Sequence, residues 1–95
     1  MIRITHKNKE IEKLITSGFS SVYKHLSKKG FLKALHAFLM ILKVVNETKE
    51  LLRFNFLDYK HTEQSSVQIV GSGISKRLFF IEDDNGQNIT ILDFK

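Results

Sequence analysis

Two apolar runs flank a polar turn in the last twenty residues of the chain. Residues 77–81 and 89–94 are rich in β-branched and aromatic side chains, and no proline interrupts either run. Between them, Asn85 and Gly86 form the pair that tight hairpin turns favour, because both residues readily adopt positive φ. The pattern predicts a β-hairpin that closes the chain. Because a hairpin alone is marginal in water, another element must cover one of its faces.

Helical spacing of apolar residues marks two segments that can supply this cover. Near residues 9–17, Asn8 is a suitable N-cap, Gly18 is a good stop, and the apolar positions between them have helical spacing. Residues 28–46 carry a wider apolar stripe with the same period. Its members are Phe31, Leu35, Phe38, Leu39, Leu42 and Val45. We expect this second helix to pack on the sheet, with Phe38 buried against the hairpin.

The remaining segments complete the order of elements. Residues 2–5 alternate as a short strand does, and residues 66–70 predict a strand that is turned by residues 71–73. Residues 58–65 are interpreted as a polar loop, residues 51–57 as an irregular connection or a short strand, and residues 20–27 give no clear pattern. The order is strand, helix, helix and then three strands. This order predicts a single α+β domain over residues 1–95, with the helices on one face of a three- or four-stranded antiparallel sheet.

The composition of the chain argues against several kinds of site and against a membrane protein. The chain has no cysteine, so disulfides and thiolate zinc sites are excluded, and no histidine has a partner at metal-ligand spacing. The first residues lack the long apolar region of a signal peptide, and the longest apolar stretch is too short to span a bilayer. We therefore expect no metal, no cofactor and no membrane association.

The positive charge is concentrated in the first half of the chain. The net charge is +5, yet residues 1–49 hold ten Lys or Arg against three Asp or Glu, whereas residues 50–95 hold five against seven. A basic surface of this kind fits a polyanion or an acidic protein partner. Lysines that simply solvate helix surfaces explain the same numbers.

Several short strings follow one another along the chain. They are the opening MIRITHK, a first helix that closes on Thr16-Ser17-Gly18, a long second helix, the basic loop Tyr59-Lys60-His61, a small-residue turn, the strand RLFF from Arg77 to Phe80, and a terminal Leu-Asp-aromatic. In this order they resemble the RelE/ParE superfamily of small bacterial toxins, most closely its HigB-type branch. The resemblance covers nearly the whole chain. It implies a RelE-like fold, a bacterial cytoplasmic location, a cognate antitoxin protein as partner and mRNA on the ribosome as target.

The activity that the resemblance implies is metal-free cleavage of mRNA. A base activates a ribose 2′-hydroxyl, which attacks the adjacent phosphate, while a cation stabilises the developing charge and an acid protonates the leaving oxygen. Arg77 matches the position of the phosphate-binding arginine of the family, and its planar, always-charged fork suits that role. Lys60 and His61 match the basic loop. An imidazole titrates near neutral pH and could act as acid or base, whereas a lysine could clamp phosphate without any pKa shift.

The end of the chain departs from the family pattern. Many HigB-type chains end in Asp-Tyr-His, where this chain has Asp93, Phe94 and Lys95. Phe94 keeps a surface on which RNA bases could stack but lacks the hydroxyl, and Lys95 keeps a cation that could bind phosphate. Lys76 is a secondary RNA-binding candidate, because neighbouring residues of a strand point to opposite faces and Lys76 and Arg77 cannot both serve one site without a bulge.

Two functional hypotheses remain open from the sequence. The catalytic candidates Arg77, Lys60, His61 and Lys95 favour an mRNA endoribonuclease. The altered ending favours a ParE-like or degenerate member that inhibits its target by binding, or that only pairs with its antitoxin. The acidic run 82–84, at the predicted hairpin tip, is interpreted as a solvated turn.

Overall fold

The computed structural model describes residues 1–95 as two α-helices on one face of a five-stranded mixed sheet. The helices are α1 (Lys9–Ser17) and α2 (Lys29–Val44), and short 3₁₀ turns cover Lys24–Leu26, Thr48–Arg53 and Asn55–Leu57. The strands are β1 (Arg3–His6), β2 (Lys60–His61), β3 (Ser65–Gly71), β4 (Ile74–Asp83) and β5 (Asn88–Phe94). Their spatial order is β1-β5-β4-β3-β2. The predicted α+β class is confirmed.

The prediction of a three- or four-stranded antiparallel sheet is wrong in two respects. The first strand lies beside the last one and runs parallel to it, with Ile4 opposite Ile89. A fifth strand, β2, forms inside the segment that was expected to be a loop, where Lys60 pairs with Ser66. The first strand was expected from its alternation, but alternation does not show which strand it pairs with, and the two residues of β2 are too few to show a period.

The helices form where the spacing predicted them. Asn8 accepts a hydrogen bond from the Ile11 backbone N–H at 2.9 Å, and Gly18 ends α1 with φ 81°. In α2, Phe38 is fully buried, and its ring centroid lies 6.3 Å from that of Phe80 on β4. Leu39, which was expected in the core, is only partly buried. The 3₁₀ turns of residues 48–57 continue the cover and bury two further leucines, Leu51 and Leu57.

A β-bulge in β5 decides which residues at the end of the chain face the core. Phe79 of β4 pairs with Asp93, whereas its neighbour Phe80 pairs with Ile91, so β5 carries one extra residue, Leu92. Strict alternation from Ile91 would leave Phe94 on the face away from the helices. The bulge reverses this order. It turns Phe94 into the core and brings Asp93 to the open face.

Candidate functional site

The face of the sheet that the helices leave uncovered carries the candidate site. Leu78 and Phe80 of β4 are buried beneath the helices, so the intervening residues Arg77 and Phe79 point to the open face. The backbone N–H of Lys95 donates to the Arg77 carbonyl at 2.9 Å, which continues the pairing of β5 with β4 by one residue. Lys95 therefore lies directly across from Arg77, on the same face.

Arg77 is held by two neighbours. Its Nε donates to Ser66 Oγ at 3.0 Å, and its Nη1 donates to Asp58 Oδ2 at 2.9 Å. The second terminal nitrogen, Nη2, donates to the Asp58 backbone carbonyl. The side chain is 24% exposed. The guanidinium is thus fixed in one orientation but still reaches solvent, and an anion that binds it must share it with Asp58 or displace Asp58.

Lys60 joins the same arrangement from β2. Its Nζ lies 3.8 Å from Asp58 Oδ2, the oxygen that also accepts from Arg77. Asp58 ends a 3₁₀ turn in the left-handed region, with φ 45°, and this backbone turn presents its carboxylate between the two cations. One carboxylate oxygen thus lies between an arginine and a lysine, a pair of cations whose chemistry suits an anionic oxygen of a carboxylate or a phosphate.

An open cleft of about 250 Å³ lies at Phe79 and Lys95, the neighbours of Arg77 on this face. Phe79 supplies an aromatic surface, and Lys95 Nζ lies 5.4 Å from the centroid of its ring. The residues that line the cleft are Lys7, Asn8, Tyr23, Gln64, Phe79, Leu92, Asp93 and Lys95. The cleft therefore combines two cations, one carboxylate, two amides and two aromatic rings, those of Phe79 and Tyr23.

Tyr23 fixes the carboxylate of the cleft. Its hydroxyl donates to Asp93 Oδ1 at 2.7 Å, and the backbone N–H of Phe94 donates to the same oxygen at 2.8 Å. Burial of the phenol, together with the hydrogen bond to Asp93 and the negative charge of Asp93, raises the pKa of Tyr23 to about 12. Tyr23 therefore keeps its proton at neutral pH and remains a donor, and Asp93 keeps a fixed orientation.

Three of the sequence-predicted residues lie away from this face. His61 pairs with Ser65 on the helix side of the sheet, although its side chain is 62% exposed. Lys76 is opposite Ile69, a core residue, and so points to the helix side as well. Phe94 is 8% exposed and packs edge-on against Tyr23 and Phe31, with centroids 5.9 Å apart in both pairs. The structure thus brings together Arg77, Lys60 and Lys95, but not His61, Lys76 or Phe94.

Glu82 forms a second polar cluster, on the helix side. It lies in β4 and its side chain is 12% exposed, so the expectation of a solvated acidic turn is wrong for this residue. Hydroxyl groups donate to its carboxylate from Thr48, Tyr59 and Ser65. His61 Nδ1 lies 3.2 Å from Glu82 Oε2. Burial raises the pKa of Glu82, but the three hydroxyl hydrogen bonds and the charge of His61 outweigh burial, and the pKa is lowered overall.

Four polar residues of the open face were not predicted from the sequence as part of the site. They are Lys7, Tyr23, Asp58 and Asp93. The alternation of Arg3, Thr5 and Lys7 could have indicated Lys7, because it continues the exposed side of β1. Asp58 and Tyr23 lie in irregular segments, where no period shows which way a side chain points.

Comparison of the chain with models of known protein families gives no match, and comparisons with curated proteins and with solved structures give none either. The resemblance to RelE/ParE toxins therefore rests on the sequence strings alone. No helix combines the length and the apolar character that crossing a membrane requires. No three histidine, cysteine or acidic side chains are grouped so that they could hold a metal ion.

Proposed function

We propose that this protein is the toxin of a type II toxin–antitoxin system, with a RelE-like fold, and that its open sheet face binds and cleaves mRNA on the ribosome. The observation that carries the proposal is the meeting of Arg77, Lys60 and Lys95 on one face. These three cations come from separate segments of the chain, and all three are among the candidates that the sequence resemblance indicates. Two of them already share one anionic oxygen, that of Asp58.

The proposed chemistry uses the residues of this face. The scissile phosphate replaces the Asp58 carboxylate between Arg77 and Lys60, and Lys95 binds a neighbouring phosphate. The ribose 2′-oxygen forms a bond to phosphorus while the bond from phosphorus to the 5′-oxygen breaks. Asp58, displaced but adjacent, accepts the 2′-hydroxyl proton, and a lysine ammonium or water returns a proton to the leaving oxygen. Arg77 stabilises the charge that builds on the phosphate.

The alternative function is a non-catalytic, ParE-like or degenerate member that acts by binding. Two observations favour it: Arg77 is already paired with Asp58, and His61 is turned towards Glu82 rather than towards Arg77. Transcript ends separate the two functions. Cuts within translated codons after expression in bacteria support the endoribonuclease, whereas growth arrest with DNA damage and intact mRNA supports a gyrase-type binder.

Arg77 and Lys76 provide a matched pair for the decisive test. They are neighbours in β4 with the same charge, but they point to opposite faces of the sheet. Loss of a donor that stabilises transition-state charge costs about 10²–10³ in rate. We therefore expect Arg77→Ala to lose cleavage by that factor in a ribosome-programmed assay, whereas Lys76→Ala keeps it.

Melting curves of both variants guard against a folding effect. Lys76→Ala should melt within a few degrees of the wild type, because that side chain makes no hydrogen bond. Arg77→Ala loses the hydrogen bonds to Ser66 and Asp58, so it should melt lower than Lys76→Ala but remain folded at the assay temperature. Undiminished cleavage by a folded Arg77→Ala protein would remove Arg77 from the site and, with it, most of the support for the enzyme.

The proposed antitoxin partner is acidic. Exposed lysines of α2, such as Lys29, Lys33 and Lys43, form a basic helix surface that suits an acidic segment. Co-expression with the product of the neighbouring gene should give a complex that co-purifies and weakens as salt is raised. A neighbouring gene product that does not bind would count against this partner.

A further inference from the structure

The cleft beside Arg77 has features that phosphate binding does not need. An aromatic ring and a fixed carboxylate are of little use for holding a phosphate, and a carboxylate repels one. Both are suited to a nucleobase, which offers a flat π-face and hydrogen-bonding edges. Resting on the proposed function, we propose that this cleft binds a single unpaired nucleobase that carries an exocyclic amino group, stacked on Phe79 and recognised by Asp93.

Phe79 is the stacking surface. It points to the open face between Arg77 and the end of the hairpin, and it is only partly buried. The ammonium group of Lys95, 5.4 Å from the ring centroid, shows that the ring is open to the cleft. Lys95 is exposed, so its side chain can move from the ring to a phosphate when a base enters.

The carboxylate of Asp93 is held in one orientation and offers one oxygen, Oδ2, as a free hydrogen-bond acceptor. Its Oδ1 receives two hydrogen bonds, from the Tyr23 hydroxyl and the Phe94 backbone N–H. Its Oδ2 receives none from the protein. A carboxylate oxygen accepts hydrogen bonds and does not donate them. The cleft therefore favours an amino group, which adenine, cytosine and guanine carry on their pairing edges, over uracil, which carries none.

The spacing of Arg77 and Phe79 along β4 places the proposed base site next to the proposed phosphate site. Arg77 and Phe79 are two residues apart on one strand, which separates them by about 7 Å. A base stacked on Phe79 thus leaves its own backbone within reach of Arg77, and Lys95 lies beside both residues. On this placement, the cleft selects which nucleotide lies next to the phosphate that Arg77 binds.

Binding of short single-stranded RNA tests the inference without depending on cleavage. The probes are fluorescently labelled oligo(A), oligo(C) and oligo(U) of equal length, measured by anisotropy with the full chain. One additional hydrogen bond to the amino group should make oligo(A) and oligo(C) bind about threefold to tenfold more tightly than oligo(U). Phe79→Ala should weaken all three probes by about tenfold, since stacking does not depend on sequence. Ile81→Ala is the matched control, because Ile81 lies on the same face of β4, is exposed, and does not line the cleft.

Asp93→Asn is the sharpest variant. Tyr23 and Phe94 both donate to the Oδ1 position, so the oxygen of the asparagine amide will occupy that position. Its NH₂ group will then take the place of Oδ2, and an acceptor in the cleft becomes a donor. We expect the preference to reverse in favour of oligo(U), with little change in fold because the two side chains have nearly the same shape.

The outcomes separate this inference from the proposed function. Equal binding of all three probes, with loss of all three in Arg77→Ala, would overturn the base site and leave phosphate binding standing. An unchanged preference in a folded Asp93→Asn protein would remove Asp93 from recognition. Failure of the wild type to bind any probe would overturn the base site and the RNA-binding function together.

Discussion

Two carboxylates, one on each side of the same sheet, have opposite surroundings. On the helix side, Glu82 is 12% exposed and accepts hydrogen bonds from three hydroxyl groups. On the open side, Asp58 is 50% exposed and presents one oxygen to two cations, Arg77 and Lys60. Three of the partners of Glu82 are neutral hydroxyl groups from buried or partly buried residues, with the exposed His61 as a fourth, whereas both cationic partners of Asp58 carry a full charge and reach solvent.

The difference separates a structural carboxylate from an exchangeable one. A buried carboxylate whose oxygens are filled by protein donors has no capacity left for a ligand, and removing it leaves those donors without an acceptor. An exposed carboxylate between cations competes with solvent and with any other anion, so its net contribution to stability is small. We infer that Glu82 holds β2 and the 3₁₀ segment against the sheet, and that Asp58 occupies a place that RNA can take over.

Removal of the Glu82 carboxylate should have the largest effect on stability of the changes considered for these two carboxylates. In Glu82→Ala, the hydroxyl groups of Thr48, Tyr59 and Ser65 lose their shared acceptor. We expect the free energy of unfolding to fall by about 2–4 kcal/mol. For a chain of this size, that loss should lower the melting temperature by more than about 10 °C.

Asp83→Ala serves as the control for this loss. Asp83 is the next residue along the chain and is exposed, so its removal should change stability by less than about 0.5 kcal/mol. Thermal and denaturant unfolding measure both variants. Equal stability of Glu82→Ala and Asp83→Ala would show that Glu82 is no more structural than an exposed carboxylate.

Replacing Asp58 should act on RNA rather than on the fold. Asparagine adopts the left-handed backbone conformation of residue 58 readily, so Asp58→Asn should keep the fold. It also removes the negative charge that occupies Arg77 and Lys60. We expect affinity for single-stranded RNA to rise about threefold to tenfold at low salt.

The same variant should cut more slowly if Asp58 takes the 2′-hydroxyl proton, because an amide cannot accept it. Tighter binding combined with slower cleavage would support both roles of Asp58. An unchanged affinity for RNA in Asp58→Asn would mean that Asp58 does not compete with RNA for Arg77 and Lys60. The functional role inferred for Asp58, in contrast to Glu82, would then be wrong.

The sequence predicts the elements of this fold where the periodic pattern of apolar residues extends over many positions. The helices, the closing hairpin and the burial of Phe38 were all predicted from spacing. Asn85 and Gly86 have the expected positive φ, but Asp84 adopts it as well, and residues 84–87 form a loop that is longer than the expected tight turn. The edge strands were not fully predicted. Pairing of β1 with β5 joins residues more than eighty positions apart, and a two-residue strand such as β2 has too few positions to show alternation.

The candidate site depended on a feature that the sequence does not show. Along the run 89–94, alternation predicts Phe94 on one side of the strand and Lys95 on the other. The bulge at Leu92 reverses both, which places Phe94 in the core and Lys95 beside Arg77. Nothing in the composition of this run marks the extra residue. Tertiary packing explains it, since the bulge lets Ile89, Ile91 and Phe94 all reach the core.

The smallest effect concerns the pH dependence of the Glu82 cluster. The pKa of Glu82 is lowered from 4.5 because the hydroxyl donors and His61 outweigh burial. A carboxyl whose pKa is lowered on folding stabilises the fold above the unfolded value, and this contribution is lost as the pH falls through the folded pKa. We therefore expect the stability difference between wild type and Glu82→Gln to be constant near neutral pH and to shrink as the pH falls below 4.5.

Unfolding measured from neutral pH to acid on both proteins isolates this contribution, since the other carboxyl groups are common to both and cancel. Burial of Glu82 acts in the opposite direction to its hydrogen bonds, so the sign of the result is informative. A stability difference that grows on acidification would mean that burial dominates and that the protonated form is favoured in the folded state. The ionised carboxylate of Glu82 would then be destabilised by burial more than it is stabilised by its hydrogen bonds. A purely structural role for the helix-side cluster would not explain that result.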